Sequence, residues 1–195
     1  MQVFLHDRLQ KLRSLLTRSN EVLGVYNRLE LNLAAAVTGF LDEAIAAHHA
    51  MQLAPEENAL LALKAQFVSA EHGTHPDTLL RVTGHRRELL RGIALRVLQH
   101  SAEQLRNDIR RDEQRLDDAK RQLQPLVLLA LRDGLIKLPL RKRLTQRQLQ
   151  LLWDTLMRAA DSTLAARQLA MQVSAYDILL LLDEQVLLAV ALPNQ

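Results

Sequence analysis

Hydrophobic positions recur along this chain in steps of three and four, not two. Leu5, Leu9, Leu12, Leu16, Ser19, Leu23, Tyr26, Glu30, Leu33, Val37, Phe40, Ala44, Ala47 and Met51 alternate steps of four and three, and all but Ser19 and Glu30 are apolar. A spacing of this kind gathers apolar side chains on one stripe of a helix. It predicts one helix over 2–52, or two nearly collinear helices hinged at 19–24. A second stripe runs through Leu98, Ala102, Leu105, Ile109, Leu116, Ala119 and Leu123, broken once by Asp112, on a helix predicted over 76–124. The third, Leu149, Trp153, Leu156, Ala160, Thr163, Arg167, Ala170 and Ser174, weakens in the middle of a helix predicted over 146–192. Shorter helices are predicted over 55–72 and 126–133.

Breakers fall between these stripes. Pro55, Gly73, Pro76, Pro125, Gly134, Pro139 and Pro193 lie at predicted boundaries, where a missing N–H or a left-handed cap ends a helix. The 53 residues 140–192 contain neither type, which predicts an unbroken last helix. Thr145-Gln146-Arg147-Gln148 has the form of a capping box and places its start near Gln146. Three helices of about 45–50 residues would each be roughly 70 Å long, and must run antiparallel. The fold expected is all-α, an elongated antiparallel three- to four-helix bundle with coiled-coil-like heptad seams, in one domain over 1–195. Breaks at Gly24, Gly84 and Gly92, which together with Gly39 fall inside the predicted helices, would give a compact globular helical fold instead.

Composition agrees with helix. Leucine supplies 44 of 195 residues, aromatic residues only six, glycine six and proline five, a mixture that favours helix over sheet. Without cysteine the chain has no disulfide and no thiolate nucleophile, as in a reducing compartment. Charges interrupt the leucines of residues 1–18, so no export signal is read there, and the expected location is cytoplasmic.

The formal charge of +3 is small but uneven. From Asp133 to Asp154 no acid intervenes, while Lys137, Arg141, Lys142, Arg143 and Arg147 accumulate beside a predicted helix start. That is the candidate contact for an anion or an acidic partner. Arg81, Arg86, Arg87, Arg91 and Arg96 form a second basic group, expected to pair with acids on the first two helices.

Catalytic signatures are missing: no phosphate loop, nucleophile elbow or His-Glu-x-x-His occurs. Glu-x-x-His, which a di-iron bundle needs, is also absent, and His85/Glu88 and His100/Glu103 are read as surface pairs. Glu71, His72, His75 and Asp77 have metal-ligand chemistry but are equally expected as residues that end and start helices. His48 and His49 point about 100° apart on a helix and cannot chelate together. No catalytic residue, metal or cofactor is expected.

Ile178 to Leu192 has 12 apolar residues in 15. A helix apolar all round needs cover on every side, so Ile178, Leu181, Leu182, Leu188 and Leu192 are candidate interface residues. The expected role is a non-enzymatic protein–protein interaction module, an adaptor, chaperone-like or assembly subunit, with a protein partner or self-association and no membrane span. The competing expectation is a nucleic-acid-binding accessory factor using 137–147.

Overall fold

The structure, a computed structural model, describes residues 4–82, 84–136, 143–159 and 163–191. Among them are seven helices and no strand: α1 (Leu5–Asn27), α2 (Leu33–Ala50), α3 (Ala54–Glu71), α4 (Arg86–Arg132), α5 (Gln146–Leu156), α6 (Thr163–Gln172) and α7 (Ala175–Ala191). The chain is therefore all-α, and a helical bundle fits it.

Four helix ends share one device. The N–H five residues after a carbonyl and the N–H three residues after the next one close on the last turn, with the residue between in the left-handed region. At the end of α1, Glu30 N–H donates to Val25 and Leu29 N–H to Tyr26, with Leu29 at φ 60°. After α2, Leu53 and Gln52 donate to His48 and His49, with Gln52 at φ 58°. Gly73 and Gly134 supply the same turn after α3 and α4. The predicted helix over 2–52 is thus two helices, and it breaks at 28–32 instead of 19–24. Gly24 and Gly39 lie inside α1 and α2 without ending them.

Other boundaries also moved. The helix predicted to begin at 76 begins at Arg86: residues 73–82 form a loop in which Leu79 adopts φ 57°, and His85, at φ 52°, directly precedes the helix. Gly84 lies before α4; Gly92 is inside it. The helices predicted over 76–124 and 126–133 are parts of one, since α4 continues through Pro125. Proline removes one N–H from the ladder, and here both Pro125 and Arg121, whose carbonyl loses that partner, are exposed to water. The helix predicted over 146–192 is three, α5, α6 and α7. Ser174 interrupts it, its hydroxyl accepting from the Asp177 N–H at 3.1 Å as the cap of α7.

The chain divides into two compact units. The unit Arg8–Arg110 holds most of α1, α2, α3 and the first half of α4. Its interior includes Leu12, Leu15, Val37, Phe40, Leu41, Leu60, Phe67, Leu98 and Leu105. His48 is fully buried; its Nδ1 donates to the Ala44 carbonyl at 2.8 Å and its Nε2 faces Asp108 at 3.4 Å. The neighbouring His49 is exposed and contacts Glu57 at 3.1 Å.

The other unit, Met1–Asp7 and Arg111–Gln195, holds the second half of α4 with α5, α6 and α7. Leu116, Ala119, Leu123, Leu126, Trp153, Leu156, Leu169 and Leu181 are buried in it, and so is Asp112, which interrupted the second stripe. In the third stripe Leu149, Trp153 and Leu156 are buried, but beyond the break Ala166, Leu169 and Val173 take over from the expected Arg167 and Ala170, which are exposed.

Candidate interaction surface

Helix α7 has two unlike sides. Ile178, Leu181, Leu182 and Val186 are buried within their own unit. Three of the five candidate interface residues, Ile178, Leu181 and Leu182, are therefore core side chains. The outer side carries Tyr176, Leu180 and Leu188 at intervals of four and eight residues, all exposed, Leu188 to 56%. Glu184 completes the row and is held by Lys120 of α4 at 2.9 Å. Leu192, the fifth candidate, lies outside the described residues.

The start of α7 is fixed by Asp177, whose side chain is fully buried. Its carboxylate accepts the backbone N–H of Leu5 at 2.9 Å and of His6 at 3.1 Å, the Ser174 hydroxyl at 2.7 Å and the His6 Nδ1–H at 2.7 Å. Burial pushes the Asp177 carboxyl up, but the Ser174, His6 and Leu5 donors outweigh it and hold the carboxyl below its ordinary range. It caps the first turn of α1 with a residue from near the other end of the sequence. Phe4 stacks on Tyr176 beside it, ring centroids 4.6 Å apart.

Of the basic group near α5, Lys137, Arg141 and Lys142 lie outside the described residues. Arg143 and Arg147 are exposed and flank the start of α5. That start is the expected capping box: Gln148 N–H donates to Thr145 Oγ1 at 3.3 Å, and Thr145 N–H to Gln148 Oε1 at 2.8 Å. Leu135, Ile136, Leu144, Leu151 and Leu152 line a groove of about 390 Å³ against this helix.

The second basic group serves partly as internal ties. Arg91 lies over the Tyr26 ring at 4.9 Å and donates to the Tyr26 carbonyl. Arg86 donates to the Glu71 carbonyl, and Arg96 grips Asp77 at 2.7 Å. The partners are a loop acid and two carbonyls, in place of the acids expected on the first two helices. The Arg96 guanidinium, through its hydrogen bond and charge, holds the Asp77 carboxyl below its ordinary range. His85 pairs with Glu88 at 3.0 Å, as its spacing indicated. His100 instead turns its Nδ1 to the Arg96 carbonyl. It lines a cleft of about 580 Å³ with Ser19, Leu23, Leu98, Glu103 and Arg106. Among the described residues, no three His, Asp or Glu side chains are grouped as a metal-binding set, and no helix is long and apolar enough to cross a membrane.

Two structural features escaped the sequence reading. Ser174-Ala175-Tyr176-Asp177 has the hydroxyl-x-x-acid form of a helix start, a signal present but hidden inside a predicted continuous helix. The exposed loop leucines Leu79 and Leu80 carried no signal, because they were read as part of a helix. Comparison with family models, with curated proteins and with solved structures gives no match.

Proposed function

We propose that this protein is a non-enzymatic protein–protein interaction module, and that the outer side of α7 joins it to a second copy of the chain. The observation that carries this is the row of Tyr176, Leu180 and Leu188 on a helix whose opposite side already supplies core residues. Inside that row the one acid, Glu184, is compensated by Lys120, so the row matches another uncharged apolar face. A two-fold contact supplies one by placing the same stripe on both partners. Replacing both Leu180 and Leu188 with Glu puts two charges into the contact. Light scattering after size exclusion is expected to find a dimer for the native chain and a monomer for the double variant, with helix content unchanged. A native chain that stays monomeric at every concentration would sink the self-association.

A second reading, nucleic-acid binding, is favoured by Arg143 and Arg147 beside the α5 start. It expects weak binding whose logarithm falls steeply with the logarithm of salt concentration. Replacing Arg141, Lys142 and Arg143 with Ala then makes the slope shallower by about two to three. No retention of the native protein on nucleic acid at low salt removes this reading.

A further inference from the structure

The loop between α3 and α4 is tied at its base and apolar at its tip. Val82 N–H donates to Gly73 at 2.8 Å, His75 N–H to Leu80 at 2.9 Å and Leu79 N–H to His75 at 2.8 Å, and Thr74 and Arg81 form an antiparallel bridge. From α4, Arg96 holds Asp77 through both carboxylate oxygens, at 2.7 and 3.3 Å. At the tip Leu79 is 75% and Leu80 69% exposed. Leu79 also sits at φ 57°, a conformation that suits glycine and is unfavourable for a leucine. The Leu79 backbone closes the loop, but its side chain gains no burial there, and backbone strain of this sort concentrates at ligand clamps and switches.

Charge around the tip is mainly positive, with Arg81, Arg86 and Arg87 against Asp77 and Glu88. Of the acids in 73–88, Asp77 is held by Arg96 and Glu88 by His85. Arg81 and Arg87 are exposed and, among the described residues, have no ion-pair partner. We propose that the Leu79–Leu80 loop is a docking element for a protein partner that offers an apolar pocket rimmed by carboxylates. A lipid surface fits less well. Two leucine side chains bring fewer carbons than one myristoyl chain, which by itself binds membranes only marginally. In a protein interface, two buried anchors beside charge pairs are sufficient to dominate binding. The proposal rests on the interaction reading but not on α7, so a monomeric chain with a working loop would overturn only the self-association.

The test places a photoreactive benzophenone amino acid at position 80 of the full chain in its own cell, then measures affinity between the purified crosslinked protein and variants. Leu79→Gly is expected to keep or raise Tm while weakening binding at least about tenfold, and Leu80→Ser to weaken it similarly. The pair Arg81→Gln and Arg87→Gln is expected to flatten the salt dependence of Kd. The absence of a protein adduct overturns the proposal, as does a partner that binds Leu79→Gly and Leu80→Ser as tightly as the native chain. Sedimentation with phosphatidylserine vesicles that Leu80→Ser abolishes would overturn it in favour of a lipid surface.

Discussion

Leu29 and Gln52 each end a helix in a conformation that costs an ordinary residue about 1–2 kcal/mol. Gln52 is exposed, so its side chain contributes little there. Gln52→Gly relieves the strain while adding about 0.4–1 kcal/mol of unfolded-state freedom. The net expectation is a gain of about 0.5–1 kcal/mol, read as a higher urea midpoint with an unchanged m-value. At Gly73 the balance reverses. A Cβ there would lie 2.7 Å from Arg86 Nε at φ 78°, so this glycine serves both the turn and the close approach. This is also why Gly73 and Gly134 were legible as helix ends and Leu29 was not, while the end near Gln52 was read from Pro55 beyond it. Glycine advertises a left-handed turn in the sequence, whereas Leu29 and Gln52 adopt it only because the surrounding backbone closes on them.

At the scale of elements, the buried side was easier to read than the length in α2, α4 and the first turns of α1. Leu5, Leu9, Leu12, Val37, Phe40, Leu105 and Leu123 are buried where spacing placed them, whereas further along α1 Leu15 and Val22 are buried in place of the expected Leu16 and Leu23, which are half-buried. Length depends on competition at the ends. The 53 residues without glycine or proline still break, at Ser174 among other places, since a short hydroxyl can satisfy a helix start as well as continue a helix. Pro125 does the opposite and stays inside α4. Pro125→Ala restores an N–H to the ladder at an exposed position, and is expected to stabilise the protein by about 1–3 kcal/mol. Thermal unfolding followed by circular dichroism checks this, and a lowered Tm would mean that the ring makes packing contacts worth more than the restored bond. The same competition decided the candidate interface. An apolar count could not separate the core side of α7, with Leu181 and Leu182, from the outer side with Leu180 and Leu188.

For the molecule as a whole, the contact between Asp177 and Leu5, 172 positions apart, carries a pH response. Its carboxyl has a folded-state pKa below the ordinary value. The stability it contributes is therefore complete above about pH 4 and is lost as pH falls through the lower folded value. Asp177→Asn is expected to destabilise the protein by about 1–3 kcal/mol at pH 7, since charged acceptors of backbone N–H groups are among the stronger hydrogen bonds. The difference from the native chain should shrink as the pH is lowered below 4, as followed by urea midpoints. A difference that persists undiminished in acid would assign the loss to packing, not to charge.

The same contact sets a schedule. Ribosomes add about 5–20 residues per second, so on the order of 10–30 seconds separate the synthesis of Leu5 from that of Asp177. Throughout that interval the first amides of α1 have only water or transient partners. The opening turn of α1 is thus secured only after Asp177 has been made, long after the helix it caps could have formed.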